Sequence, residues 1–127
     1  MTTEMNLETV AKGMYCGLEG PQNTWEIKTE QAWSAFYAKL ESRSNPRPVT
    51  PSVDFSKYQI LAVFMGEQTS GGYSTEMTGV VKNEDNLEVQ VQESSPGDDD
   101  CCSAAFTQPY HVVKVEKVKG KVEFRYL

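Results

Sequence analysis

YQILAVFMGEQTSGGYSTEMTGVVK, the sequence of residues 58–82, contains the patterns that decide the fold. Residues 60–65 form the densest apolar run of the chain, which is typical of a central strand buried on both faces. Gly71 and Gly72 can adopt positive φ angles without a Cβ penalty, which favours a tight hairpin turn. Because residues 73–82 then alternate between two faces, the stretch predicts two strands joined by a hairpin.

A helix is predicted upstream of this stretch. Thr29 has the side chain of an N-cap, and Glu30 follows it in the first turn, where an acidic residue is favoured. The apolar side chains then recur at helical spacing, which predicts a helix to about residue 41 with a core-facing stripe. The stripe consists of Trp33, Phe36, Tyr37 and Leu40. Three prolines in residues 44–51 prevent the helix from continuing.

The remaining periodic segments predict further strands. Alternation is clear in residues 87–92 and is also present in residues 110–118 and 122–126, while residues 9–15 and 24–28 show weaker strand patterns. We find no internal repeat, and 127 residues favour one domain. The sequence therefore predicts a single α+β domain over residues 1–127, with one helix packed on a mostly antiparallel β-sheet or a small β-sandwich.

Composition and charge exclude several classes of protein. The net charge of −6 argues against a general nucleic-acid binder, which would need a basic face. No apolar run approaches the roughly 20 residues that span a bilayer. The first residues lack the charged and apolar regions of a signal peptide, so we expect either a cytoplasmic protein or an exported one whose leader has been removed. The sequence does not indicate which oligomeric state the protein adopts.

Three cysteines leave the redox state open. A disulfide from Cys16 to Cys101 or Cys102 is one interpretation, and three free thiols in a reducing compartment are the other. Adjacent cysteines point apart in a strand and are a poor zinc-ligand pair, so we predict no metal site and no cofactor. Asp98, Asp99 and Asp100 lack the alternating spacing of a calcium-binding loop and indicate a solvated acidic loop.

His111 is the only histidine of the chain and therefore the only candidate imidazole base. Its pairing with Cys101 or Cys102 would give a thiol-dependent enzyme, but no third orienting residue stands in a recognisable motif. We therefore predict that the protein is not an enzyme. A thiol-dependent enzyme remains as a third hypothesis, after the two binding functions described below.

Two polar and aromatic segments are candidates for a contact surface. Tyrosine combines a large rigid ring with a polar end, which suits protein contacts. The predicted patch comprises the hairpin residues Thr69, Ser70, Gly71, Gly72 and Tyr73 together with Pro109 and Tyr110. In the alternative interpretation the two glycines only form a turn and Tyr73 packs on the sheet.

The chain resembles the PrcB C-terminal domain family. The resemblance is carried by VFMGE at residues 63–67, T-x-G-G-Y at 69–73, SPG at 95–97 and TQPYHVVKV at 107–115, and more weakly by the helix around Trp33. The family is named for a secreted subunit that stabilises a bacterial surface protease. The resemblance implies a non-catalytic domain that binds another protein, with a protease as the expected partner.

A more distant similarity of arrangement concerns the chagasin-type cysteine-protease inhibitors, which present three loops at one end of a β-sandwich. Residues 69–73, Pro96 with Gly97, and Pro109 with Tyr110 occur here in the corresponding order. The Asn-Pro before the first loop and the Gly-x-Gly-Gly of the second are absent, and Gln108 replaces an arginine. A loop-based protease inhibitor is accordingly the alternative hypothesis for function.

Overall fold

The computed structural model describes residues 2–46, 48–68, 72–95 and 106–127. These residues form eight strands and one helix, which confirms the predicted α+β class. In chain order the elements are β1 (Thr2–Met5), β2 (Glu8–Gly13), β3 (Asn23–Ile27), α1 (Glu30–Leu40), β4 (Tyr58–Phe64), β5 (Ser74–Asn83), β6 (Asn86–Ser94), β7 (Tyr110–Glu116) and β8 (Val122–Tyr126).

The strands form two four-stranded sheets. The helix-side sheet has the order β2-β7-β4-β3, and the outer sheet has the order β1-β5-β6-β8. Neighbouring strands are antiparallel except for β6 and β8, which are parallel. The sheets stack as a sandwich, and α1 covers the free face of the helix-side sheet.

The predicted hairpin between β4 and β5 is wrong. β4 pairs with β3 on one side and β7 on the other, so it has no free edge to offer β5. The connection after β4 instead crosses to the outer sheet, where β5 pairs with β1 and β6. The chain therefore passes from the helix-side sheet to the outer sheet between Phe64 and Ser74.

β4 is buried on both faces, as its apolar run predicts. Ile60, Ala62 and Phe64 belong to the cluster that packs under the helix. Leu61 and Val63 belong to the cluster between the two sheets. Since successive side chains of a strand point to opposite faces, this one strand contributes to both cores.

The helix begins and ends as predicted. The Oγ1 of Thr29 accepts a hydrogen bond from the backbone N–H of Ala32 at 3.2 Å, and Glu41 is the C-cap. The four stripe residues, Trp33, Phe36, Tyr37 and Leu40, are all buried. Within the described ranges, no helix is long and apolar enough to cross a membrane.

Candidate protein-binding surface

The crossover after β4 lies beside the segment that precedes β7. Gln68 and Thr107 exchange both backbone hydrogen bonds, at 2.8 and 2.9 Å. The backbone N–H of Met65 donates to the carbonyl of Pro109 at 3.0 Å. The structure thus brings together two of the segments on which the resemblance was based, although they are about 40 positions apart in the sequence.

A third segment, which follows β2, completes this end of the helix-side sheet. The backbone N–H of Gln108 donates to the carbonyl of Met14 at 2.6 Å, and that of Glu67 donates to Gly20 at 3.4 Å. The side chain of Gln22 donates to Glu93 of the outer sheet at 2.8 Å. We call the surface formed by residues 14–22, 65–68 and 106–109 the loop surface. Its three segments are tied together mainly by backbone hydrogen bonds, so it is preorganised.

Gly66 allows two of these segments to approach closely. Its φ is +92°, a conformation that L side chains rarely adopt. A Cβ at this position would also lie 3.0 Å from the backbone nitrogen of Gln22. The glycine is therefore required by backbone geometry.

The residues predicted as a contact patch are only partly exposed. Gly72 is exposed and Tyr73 is half-buried, whereas Pro109 and Tyr110 are buried. Thr69, Ser70 and Gly71 lie outside the described residues. The predicted exposure of Pro109 and Tyr110 is wrong because β7 is a central strand under α1, and Tyr110 joins the helix-side core with 8% of its surface exposed. Burial also raises the pKa of its phenol.

Two aromatic residues that the sequence analysis missed lie on the loop surface. Tyr15 is 64% exposed and Phe106 is 68% exposed. Each lies within two positions of the hydrogen bond between Met14 and Gln108, which places them at the same part of the surface. Large exposed aromatic side chains are typical of contact sites. The sequence signal was weak, because Tyr15 ends a weakly patterned predicted strand, whereas the observed β2 stops at Gly13, and Phe106 continues no strand pattern.

Cys16, in the first segment of the loop surface, is buried and forms no disulfide with any other described residue. Its thiol donates to the carbonyl of Gln108 at 3.6 Å, and its backbone N–H donates to the Gln108 side chain at 3.4 Å. Burial raises the pKa of the thiol to about 11. Cys101 and Cys102 lie outside the described residues, as does the acidic loop at Asp98–Asp100, so the predicted bridge stays a prediction.

Cys16 is expected to resist alkylation in the folded protein. With a pKa of about 11, roughly one thiol in a thousand is ionised at pH 8, and the sulfur is buried. Native protein should be treated with iodoacetamide at this pH, digested and analysed by mass spectrometry, with urea-unfolded protein as the control. Modification of Cys16 only after unfolding is the expected result. Rapid native modification, or recovery of Cys16 in a disulfide, would contradict the buried free thiol.

His111 is buried and connects the two sheets. The backbone N–H of Met77 donates to Nδ1 at 2.9 Å, so Nε2 carries the hydrogen and donates to Oγ1 of Thr9 at 2.9 Å. Burial lowers the pKa of the imidazole to about 4, with a smaller effect from Lys12. Both ring nitrogens are therefore occupied by structural partners. No group of three histidine, cysteine or acidic side chains among the described residues could hold a metal ion.

Comparisons with known proteins agree with the resemblance that the motifs indicated. The comparison with curated proteins and the comparison with solved structures each gave no significant match. The family model described as PrcB C-terminal matches residues 60–116, from the third residue of β4 to the end of β7. This segment, somewhat under half of the chain, includes the crossover after β4 and the strand start at residue 110. The resemblance to the PrcB C-terminal family is therefore confirmed over residues 60–116.

Proposed function

We propose that this protein is a non-catalytic domain that binds another protein through the loop surface. The observation that carries the proposal is the pair of exposed aromatic side chains, Tyr15 and Phe106, on a surface fixed by backbone hydrogen bonds. Rigid aromatic anchors on a preorganised surface lose little conformational entropy on binding. The titratable groups near this surface support a structural role, since burial keeps the Cys16 thiol protonated at neutral pH.

The family similarity supports a protease as the partner. Residues 60–116 contribute two of the three segments of the loop surface and match the PrcB C-terminal family. That family is named for a subunit that stabilises a protease. The proposed role is therefore to associate with a protease and stabilise it, without taking part in its chemistry.

Replacement of both exposed aromatic residues is expected to abolish partner capture. The Tyr15→Ala/Phe106→Ala variant should retain no more than about one tenth of the amount of partner that the wild-type protein retains, as is typical for the loss of hot-spot aromatic residues. Wild-type and variant proteins would serve as baits in extracts of the source organism, with retained proteins quantified by mass spectrometry. Tyr126→Ala is the matched control, because Tyr126 is a partly exposed aromatic residue on β8.

The proposal requires a protein that the wild type and the Tyr126 control retain and the double variant loses. It further requires that this protein be a protease with a longer active half-life in the complex. Equal retention by all three baits would contradict a role for the loop surface. Circular dichroism of each bait excludes unfolding as the cause of a loss.

Direct inhibition of a cysteine protease is the second candidate function. It is favoured by the positions of the strand ends. The end of β4 lies opposite the start of β7, and the end of β6 lies opposite the start of β5, because both pairs are antiparallel. The connections that lead into β5 and β7 are therefore anchored at the same end of the sandwich. A dose-dependent loss of papain activity that Tyr15→Ala/Phe106→Ala relieves would support inhibition. Undiminished papain activity with excess protein would leave association and stabilisation as the function.

A further inference from the structure

Four lysines line a single cavity of about 800 Å³ at the end of the helix-side sheet opposite the loop surface. The cavity lies where β3 ends, β4 begins and β7 ends. Its basic residues are Lys28, Lys57, Lys117 and Lys119, and Glu116 is the one acidic residue among the described lining residues. A third of the twelve basic residues of the chain are thus gathered at one place.

This concentration of positive charge contrasts with the rest of the molecule. The chain has a net charge of −6, yet no lysine of the cavity forms an ion pair with the described residues. The ion pairs of the described structure use other cations, namely Lys12, Lys114 and Arg125. Asp54 attracts Lys57 and Glu116 lines the cavity, but four lysines gathered without an ion pair to the described residues repel one another, and this repulsion disfavours the folded state.

Two of the four ammonium groups are held in place by the backbone. Nζ of Lys28 donates to the carbonyl of Val118 at 3.1 Å, and Nζ of Lys117 donates to the carbonyl of Phe55 at 2.9 Å. An ammonium group has three hydrogens, so each keeps donors for a ligand. Lys57 and Lys119 are exposed, and their side chains form no hydrogen bond with the described residues. The cavity therefore combines two fixed cations with two that can move toward a bound anion.

We propose that this lysine cavity binds a small soluble ligand that carries at least two oxyanion groups, phosphates or carboxylates. The volume is within the range of small-molecule sites, about 300–1,000 Å³. Hydrogen bonds between ammonium and oxyanion groups are charge-assisted and stronger than neutral ones. Tyr58 lines the cavity, and Phe64 precedes Met65 of the loop surface; six steps of about 3.3 Å along β4 separate Tyr58 from Phe64 by roughly 20 Å. The site is thus distinct from the proposed protein contact.

Calorimetric titration with pyrophosphate and with citrate tests the site and separates the two chemistries. At about 0.01 M ionic strength, where the Debye length is about 30 Å, we expect saturable binding of one ligand per chain. The ligand that binds more tightly identifies phosphate or carboxylate as the preferred group. Lys57→Gln/Lys119→Gln should weaken its binding by about three- to tenfold, as expected for the loss of two exposed charge contacts.

The control variant Lys39→Gln/Lys82→Gln removes the same charge elsewhere, on α1 and β5, and should change the affinity by less than about twofold. Amide NMR shifts during the titration should change first at residues 56–58 and 116–119. The absence of saturable binding for both ligands would overturn the proposal. Equal weakening by both variants, or shifts elsewhere, would overturn it as well, because the attraction would then come from net charge alone.

Discussion

Trp33→Ala is expected to lower the free energy of unfolding by about 3–5 kcal/mol, the largest effect of any single truncation considered. Trp33 is completely buried between α1 and the helix-side sheet. Its ring lies 6.2 Å from that of Phe36 and 5.4 Å from that of Tyr37, and its Nε1–H donates to the carbonyl of Pro51 at 2.8 Å. Since small domains are stable by only about 5–15 kcal/mol, the variant should be close to unfolding at 37 °C.

Urea denaturation followed by far-ultraviolet circular dichroism would measure the loss for Trp33→Ala. Trp33→Phe keeps an aromatic ring in place but leaves the Pro51 carbonyl without this donor, and should lose about 1–3 kcal/mol. Trp25→Ala, at a half-buried position on the edge strand β3, is the matched control and should lose less than Trp33→Ala. A loss below about 1 kcal/mol for Trp33→Ala would contradict the packing of α1 described above.

Acidification from pH 7 to pH 4 is expected to remove about 3 kcal/mol of stability through His111 alone. The pKa of this imidazole is about 4 in the folded protein, whereas its ordinary value of 6.5 applies to the unfolded chain. Between these values the unfolded chain binds more protons than the folded one, so stability falls as the pH falls. The contribution is complete above pH 6.5 and is lost by about pH 4.

The surroundings of His111 explain the sign. A proton on Nδ1 would place two donors face to face, because the backbone N–H of Met77 already points at this atom. Burial is the main reason that the pKa is lowered. Lys12 also disfavours the imidazolium, to a smaller extent, and Glu76 favours it. These two side chains also form an ion pair with each other at 3.4 Å.

The free energy of unfolding should be measured by urea titration at several pH values for the wild-type protein and for His111→Gln. Glutamine can accept from Met77 and does not titrate, so the difference between the two curves isolates the imidazole. We expect the difference to change between pH 6.5 and 4. Parallel curves across this interval would contradict a buried neutral histidine.

Much of the fold could be predicted because the relevant signals are local. The Trp33 stripe and the cap at Thr29 specify the helix within twelve positions, and the apolar run in residues 60–65 marks a doubly buried strand. β1 was not predicted, since TTEM is too short and too polar to show a pattern. The parallel pairing of β6 with β8 was also missed, because alternation does not reveal which strand lies alongside.

The candidate site was harder to predict because it depends on topology. Two glycines between strand-like runs are typical of a hairpin, and only the pairing of β4 on both sides excludes it. The same topology buries Tyr110 and leaves Phe106 exposed, although both flank the same Thr-Gln-Pro motif. The lysine cavity is further removed from local signals, since it unites Lys28 and Lys57 with two lysines that lie about 90 and 60 positions further along, respectively.

The pairing of the first two strands determines how the chain can fold. Thr2 of β1 lies opposite Asn83, and Glu8 of β2 lies opposite Lys114. Neither strand can dock until a partner some 80 to 100 positions later has been synthesised. Such a high contact order is associated with folding in milliseconds to seconds. During translation the first strands therefore remain without their sheets. The helix-side sheet is completed only after β7 has left the ribosome, and the outer sheet only after β8 has done so.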